Sequence, residues 1–118
     1  MAVDATAYRP RLLAARRGAA RQLAALDRDF EEIVQGSELV NTDDEHDPEG
    51  ATVAFERAQV MALRASTQRR LEALDAAWLR LDSGTYGVCL RCAEPIGAAR
   101  LEAVPDAPIC VGCASGGV

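Results

Sequence analysis

The chain has 118 residues, a net charge of −5 and only 4% aromatic residues, and its thirteen basic side chains are all arginine. An acidic balance argues against holding nucleic acid by bulk electrostatics, and so few aromatics argue against a large compact core. No apolar run reaches the roughly 20 residues a membrane span needs, and Met1 to Tyr8 carry neither a basic nor an apolar leader segment, so the cytoplasm is the expected compartment.

From Leu12 to Val34 the apolar residues keep helical time. Ala19, Leu23, Leu26, Phe30 and Ile33 are spaced alternately by four and three, the mark of a coiled-coil seam. Gly36 and Ser37 interrupt it. A second periodic stretch runs from about Pro48 to Leu81, through Val60, Leu63, Thr67, Leu71, Leu74, Trp78 and Leu81. Asp47 can cap its start, Pro48 suits the first helical position and Glu49 suits the positive end of the dipole. Ser83-Gly84 marks its end, with Gly84 placed for a left-handed C-terminal turn. Two stripes of similar length joined by a short polar link can bury each other as an antiparallel helical hairpin. The alternative is a pair of helices that needs a partner chain, because two helices bury little surface alone.

The link is acidic. No basic residue lies between Arg28 and Arg57, while Glu38, Asp43, Asp44, Glu45, Asp47 and Glu49 fall within twelve residues. A hairpin with arms of some 30 residues is about 45 Å long. A slender rod with a carboxylate-rich point suits a narrow, basic or metal-containing channel. An acidic, Pro-containing link is equally a good solvated turn. The link does not match an EF-hand loop. His46, the only histidine, reads as a solvated loop residue, and no catalytic set assembles around it.

Beyond Gly84 the composition changes to short apolar pieces punctuated by Gly, Pro and Cys. All four cysteines lie here, Cys89, Cys92, Cys110 and Cys113, spaced C-x2-C-x17-C-x2-C. Each C-x-x-C turn aims two sulfurs at one spot, and the intervening loop lets the turns converge, as a closed tetrahedral Zn²⁺ site requires. Disulfides would expect a secretory context, and a redox dithiol would expect one C-x-x-C beside a βαβ pattern. One structural zinc is expected, folding a module with too few apolar residues to fold otherwise. A four-thiolate site leaves no open metal position, so hydrolase chemistry is disfavoured and no enzyme is expected. Arg91 and Arg100 against Glu94, Glu102 and Asp106 make no basic patch, which disfavours DNA recognition by the module. Trp78 and Tyr86, at the junction, are expected to pack the module against the helix base.

The expected fold is mainly α. A two-helix coiled-coil hairpin spans residues 8–83, with its acidic tip at about 37–51. A C-terminal four-cysteine zinc-finger module spans 84–114, and a loose tail 115–118.

The run YGVCLRCAEPIGAARLEAVP from Tyr86, followed by ICVGC from Ile109, resembles the DksA/TraR family of C4 zinc-finger transcription factors. The resemblance extends over about 43–114. It implies a regulator that binds bacterial RNA polymerase rather than DNA. Its coiled coil would enter the secondary channel, and its tip would approach the catalytic centre and alter the stability of promoter open complexes. The family's tip carries Asp-x-x-Asp-x-Ala. Ungapped matching from Cys89 sets His46 and Glu49 at the acidic places and Ala51 at the alanine, and a shift of one residue recovers Asp47. Asp47, Glu49 and Ala51 are therefore the expected working tip. Basic residues that help hold the alarmone ppGpp in the family correspond here to Ala73, Val104 and Ala114. Neutral side chains offer phosphates no charged contact, so dependence on ppGpp is not expected. Two other functions suit the same residues: a zinc-stabilised protein-interaction adaptor, and a thiol-based sensor that releases zinc on oxidation.

Overall fold

The computed structural model describes residues 4–39 and 48–116. Four helices follow in order: α1, Ala5–Leu39; α2, Pro48–Ser83; α3, Ala98–Ala103; and α4, Val111–Gly116. Among the described residues the extended structure is a single antiparallel bridge between Val88 and Pro95. The fold is thus mainly α, with two long helices followed by a cysteine-bearing module.

The helix ends follow from local chemistry. Asp4 caps α1, its carboxylate accepting from the Thr6 N–H at 3.1 Å and its carbonyl from the Ala7 N–H at 3.1 Å. Helix α1 therefore starts earlier than its apolar stripe suggests, and it includes Pro10. The ring there forfeits the main-chain bond to the Thr6 carbonyl, in the second turn of the helix. At the other end of α2, Gly84 takes φ 81°. The Gly84 N–H bonds the Leu81 carbonyl at 3.3 Å and the Thr85 N–H bonds the Arg80 carbonyl at 2.9 Å. These two crossed bonds form a Schellman motif, the left-handed stop that Ser83-Gly84 predicts.

The chain divides into two compact units. One comprises Met1–Gly18 and Arg70–Val118 and carries the cysteines, so we call it the metal-bearing unit; the other, Ala19–Arg69, is the helical unit. In the metal-bearing unit α1 and α2 run antiparallel. Arg9 pairs with Asp82 and Arg16 with Asp75, so seven residues forward on one helix match seven back on the other. Its core gathers Tyr8 and Leu12 from α1, Leu74, Ala77 and Leu81 from α2, and Tyr86, Ile96, Leu101 and Ala107 beyond. Leu12, Leu74 and Leu101 are almost wholly buried, each contributing about 1.5–3 kcal/mol.

In the helical unit Arg64 pairs with Asp27. Here only Ala19, Leu26 and Thr67 are buried among the described residues, while Leu23, Phe30, Ile33, Val53 and Val60 are half-buried. The Thr67 hydroxyl is satisfied within the helix by the Leu63 carbonyl at 2.9 Å. Leu63 itself, expected in the seam, is 47% exposed. Position 64 faces the other helix instead, through Arg64. These ion pairs are about half exposed and worth about 0–1 kcal/mol each, so they fix register more than they stabilise.

Candidate metal centre

The cysteines sit on two tight turns. In the first, the Ala93 N–H bonds the Cys89 carbonyl at 3.0 Å and the Cys89 N–H bonds the Glu94 carbonyl at 2.8 Å. Closing this turn puts Ala93 at φ 65°, a left-handed conformation that costs a residue with a Cβ about 1 kcal/mol or more. Gly87 and Gly97 take φ 86° and 99° on either side of the Val88–Pro95 bridge, and the Ile96 N–H bonds the Gly87 carbonyl at 2.8 Å. The second turn opens α4, where the Ala114 N–H bonds the Cys110 carbonyl at 2.9 Å. One main-chain bond, Leu90 N–H to the Pro108 carbonyl at 2.9 Å, ties the turns together.

This brings all four sulfurs within 4.8 Å of one another. Cys89 Sγ lies 3.8 Å from Cys113 Sγ, and Cys92 Sγ lies 3.8 Å from Cys110 Sγ. A disulfide would need about 2.05 Å. A tetrahedron of thiolates around Zn²⁺, with Zn–S about 2.3 Å, has edges of about 3.8 Å. The spacing therefore fits one structural zinc ion held by four cysteines. Main-chain N–H groups support the sulfurs: those of Cys92 and Cys110 point at Cys89 Sγ at 3.5 and 3.3 Å, and that of Cys113 points at Cys110 Sγ at 3.5 Å.

The electrostatics suit a cation. Burial disfavours ionising Cys89, but the N–H donors of Cys92 and Cys110 outweigh it and bring the thiol down to about 6. Cys113 is pushed up to about 12, first by its hydrogen bond with Cys110 and then by burial. Crowded thiols share protons rather than all ionise, and a bound dication displaces those protons. Cys89 and Cys113 are buried, Cys110 is half-buried and Cys92 is exposed. Zinc here is structural, because four protein ligands leave no position for a substrate.

The module's two arginines, expected to form no basic patch, bond to its own main chain. Arg100 Nε donates to the Ile109 carbonyl at 2.8 Å and Arg91 Nη1 to the Cys113 carbonyl at 3.4 Å. Tyr86, as expected, joins the module to the helix bases. Its hydroxyl donates to the Pro105 carbonyl at 2.8 Å and its ring lies 5.5 Å from that of Tyr8. Burial and then Tyr8 push its phenol up to about 12. Trp78, expected beside it, is instead covered by the Arg9 guanidinium, 5.0 Å from the ring centre. Asp106 was not anticipated. It is buried, with Arg70 at 3.7 Å and the Arg80 Nη2 on its carbonyl at 3.5 Å. Burial pulls the Arg80 pKa down, and Tyr86 and Asp106 oppose that.

Of the expected tip residues, Asp47 lies outside the described residues, as does His46. Glu49 falls in the first turn of α2, and Ala51 is exposed on that helix. Among the described residues no helix is long and apolar enough to cross a membrane.

The geometry defines a helical protein whose two long helices are followed by a C4 zinc module. Residues 84–116 match the family described as the prokaryotic dksA/traR C4-type zinc finger. The chain is 38% identical over 61 residues to the RNA polymerase-binding transcription factor DksA of Caulobacter vibrioides, covering 52% of this chain and 43% of that protein. It is 34% identical over 74 residues to general stress protein 16O of Bacillus subtilis, covering 63% and 45%. These alignments span less than half the length of either relative. The solved structure of the transcription factor DksA2 from Pseudomonas aeruginosa superposes with a TM-score of 0.55 at 26% identity, covering 90% of this chain and 81% of that one. The C-terminal module, residues 84–116, is thus similar to the dksA/traR C4-type zinc finger, and the two long helices share the fold of DksA2.

Proposed function

We propose that this protein is a non-enzymatic regulator of transcription that binds RNA polymerase through its secondary channel, with the segment around Asp47, Glu49 and Ala51 near the active site. The observation that carries this reading is the likeness to DksA2, a transcription factor, over 90% of this chain, with the zinc module in common with the family. The chemistry agrees. The zinc site has no open position for catalysis, and the module's two arginines are spent on its own carbonyls rather than on a nucleic acid. The acidic segment between the long helices supplies the charge that a tip in the polymerase channel would use.

The test is binding of the purified chain to core RNA polymerase, followed by the lifetime of a promoter open complex with and without it. Binding with a changed lifetime supports the reading; no binding leaves an adaptor for some other protein. Adding ppGpp should leave the effect nearly unchanged, because Ala73, Val104 and Ala114 are neutral. A several-fold enhancement by ppGpp that requires this protein would overturn that expectation.

A further inference from the structure

A groove in the helical unit runs between α1 and α2, lined on one side by Asp29, Glu32, Ile33 and Gly36 and on the other by Val53, Glu56, Gln59 and Val60. It is a shallow groove open to solvent, with a volume of about 620 Å³. Its floor is Ile33, Val53 and Val60, all half-buried. Gly36 deepens it, since a Cβ added there would meet nothing within 4 Å. Two large apolar side chains continue the apolar surface from α2. Phe55 is 69% exposed and Leu63 is 47% exposed, and each lies four residues from Gln59, one turn away on the helix surface.

The rim is acidic and faces solvent. Asp27, two residues from the groove, pairs with Arg64. Asp29, Glu32 and Glu56 are exposed and make no ion pair or hydrogen bond among the described residues. The chain supplies no basic residue between Arg28 and Arg57. The lining on each helix spans eight residues, seven steps of the helix or about 10.5 Å. That is the distance between side chains at i and i+7 on one face of a docking helix.

We propose that this groove docks a cationic amphipathic α-helix of a protein partner, packed as a third helix against α1 and α2. Its apolar side chains at i, i+3 or i+4, and i+7 fill the space over Ile33, Val53 and Val60. Arginines or lysines on its flanks meet Asp29, Glu32 and Glu56. Charge complementarity selects this occupant: an acidic or neutral helix would leave three carboxylates facing it without a counter-charge. The inference does not depend on the polymerase reading, since the groove would take such a helix from any protein.

The test uses the full chain, loaded with zinc, and a fluorescein-labelled synthetic helix with leucines along one face and arginines on both flanks. Anisotropy should show saturable one-to-one binding. The same peptide with glutamates replacing the arginines should bind at least about tenfold more weakly. Gly36→Phe puts a ring at the groove, from a position where an added Cβ meets nothing within 4 Å, and should weaken binding at least about tenfold. Gly36→Ala, which adds little volume and favours the helix, should leave binding nearly intact. Circular dichroism checks that both variants keep the wild-type helix content and melting point. Absence of binding, equal binding of the two peptides, or equal binding by Gly36→Phe overturns the proposal. So does self-association of the chain that Gly36→Phe abolishes, which would make a second copy the occupant.

Discussion

The metal-bearing unit and the helical unit draw on the same two long helices but are held together differently. In the first, Leu12, Leu74 and Leu101 are buried to within 1% exposure, two tyrosine rings meet, Asp106 is sequestered and four sulfurs converge. In the second, mostly small and half-buried side chains line the seam; large apolar residues face solvent in both units, Phe55 and Leu63 here and Leu79 and Leu90 in the other. The contrast separates two demands on one pair of helices. A unit with a filled core and a metal can be stable alone, whereas two helices with a thin seam expose surface available to a partner.

The largest expected effect comes from the metal. Purified protein should contain about one zinc per chain. Chelation, or Cys89→Ser, should unfold the module while much of the helical circular dichroism remains. A structural zinc site of this type carries a binding free energy on the order of 10 kcal/mol, far above any single side chain in the helices. Protein that is folded yet metal-free, with four reactive thiols, would refute the site. Loss of all helix on Cys89→Ser would show that the helices have no stability apart from the zinc.

A matched pair of truncations sharpens the comparison. Leu74→Ala removes a side chain that is 1% exposed and should cost about 2–5 kcal/mol. Val60→Ala removes less, from a half-buried position bordering the groove, and should cost about 1 kcal/mol or less. Denaturant midpoints measure both. Equal losses would mean that the helical unit is packed as tightly as the metal-bearing one.

A gain of about 1 kcal/mol is expected from Ala93→Gly. Ala93 holds φ 65° to close the first cysteine turn, and glycine adopts that conformation without the Cβ penalty. The entropy glycine adds to the unfolded chain offsets part of this. The variant should resist chelator longer than wild type. A faster loss of zinc would show that the Ala93 methyl supports the turn instead of straining it.

What could be read from the sequence follows from what is local. The cysteine spacing is a chemical pattern with few solutions, and the sulfurs converge as it requires. Ser83-Gly84 carries its own stop signal, and the Schellman bonds follow. Leu63 shows the limit of periodicity. Steps of three and four cannot choose between positions 63 and 64 when one is leucine and the other arginine. The structure turns Arg64 to Asp27 and leaves Leu63 in solvent. Asp106 had no local signal, because its burial depends on Arg70 and Arg80, which are far away in sequence. The start of α1 at Ala5 was not visible in the apolar stripe, which begins at Leu12, because the start is set by Asp4 capping the helix. The groove was illegible for a related reason: Gly36 and Ser37 read as the end of the seam, whereas α1 continues through them to Leu39, and the half-buried valines opposite look like ordinary seam.

The smallest effect on stability, and the sharpest test of how the units divide their roles, is expected at the acidic segment. Asp47→Asn with Glu49→Gln keeps side-chain size and removes two charges. Asn caps a helix about as well as Asp, so the unfolding midpoint should hardly move. If these acids act inside the polymerase channel, the double variant should still bind polymerase, because the apolar seam and the zinc module are untouched. Its effect on open-complex lifetime should be lost or reversed. The separation between binding and effect is the informative result. Loss of both would place Asp47 and Glu49 in the docking surface itself. Retention of both would make the segment a solvated turn, and the acids that matter would then be those on the described helices, beginning with Asp29, Glu32 and Glu56.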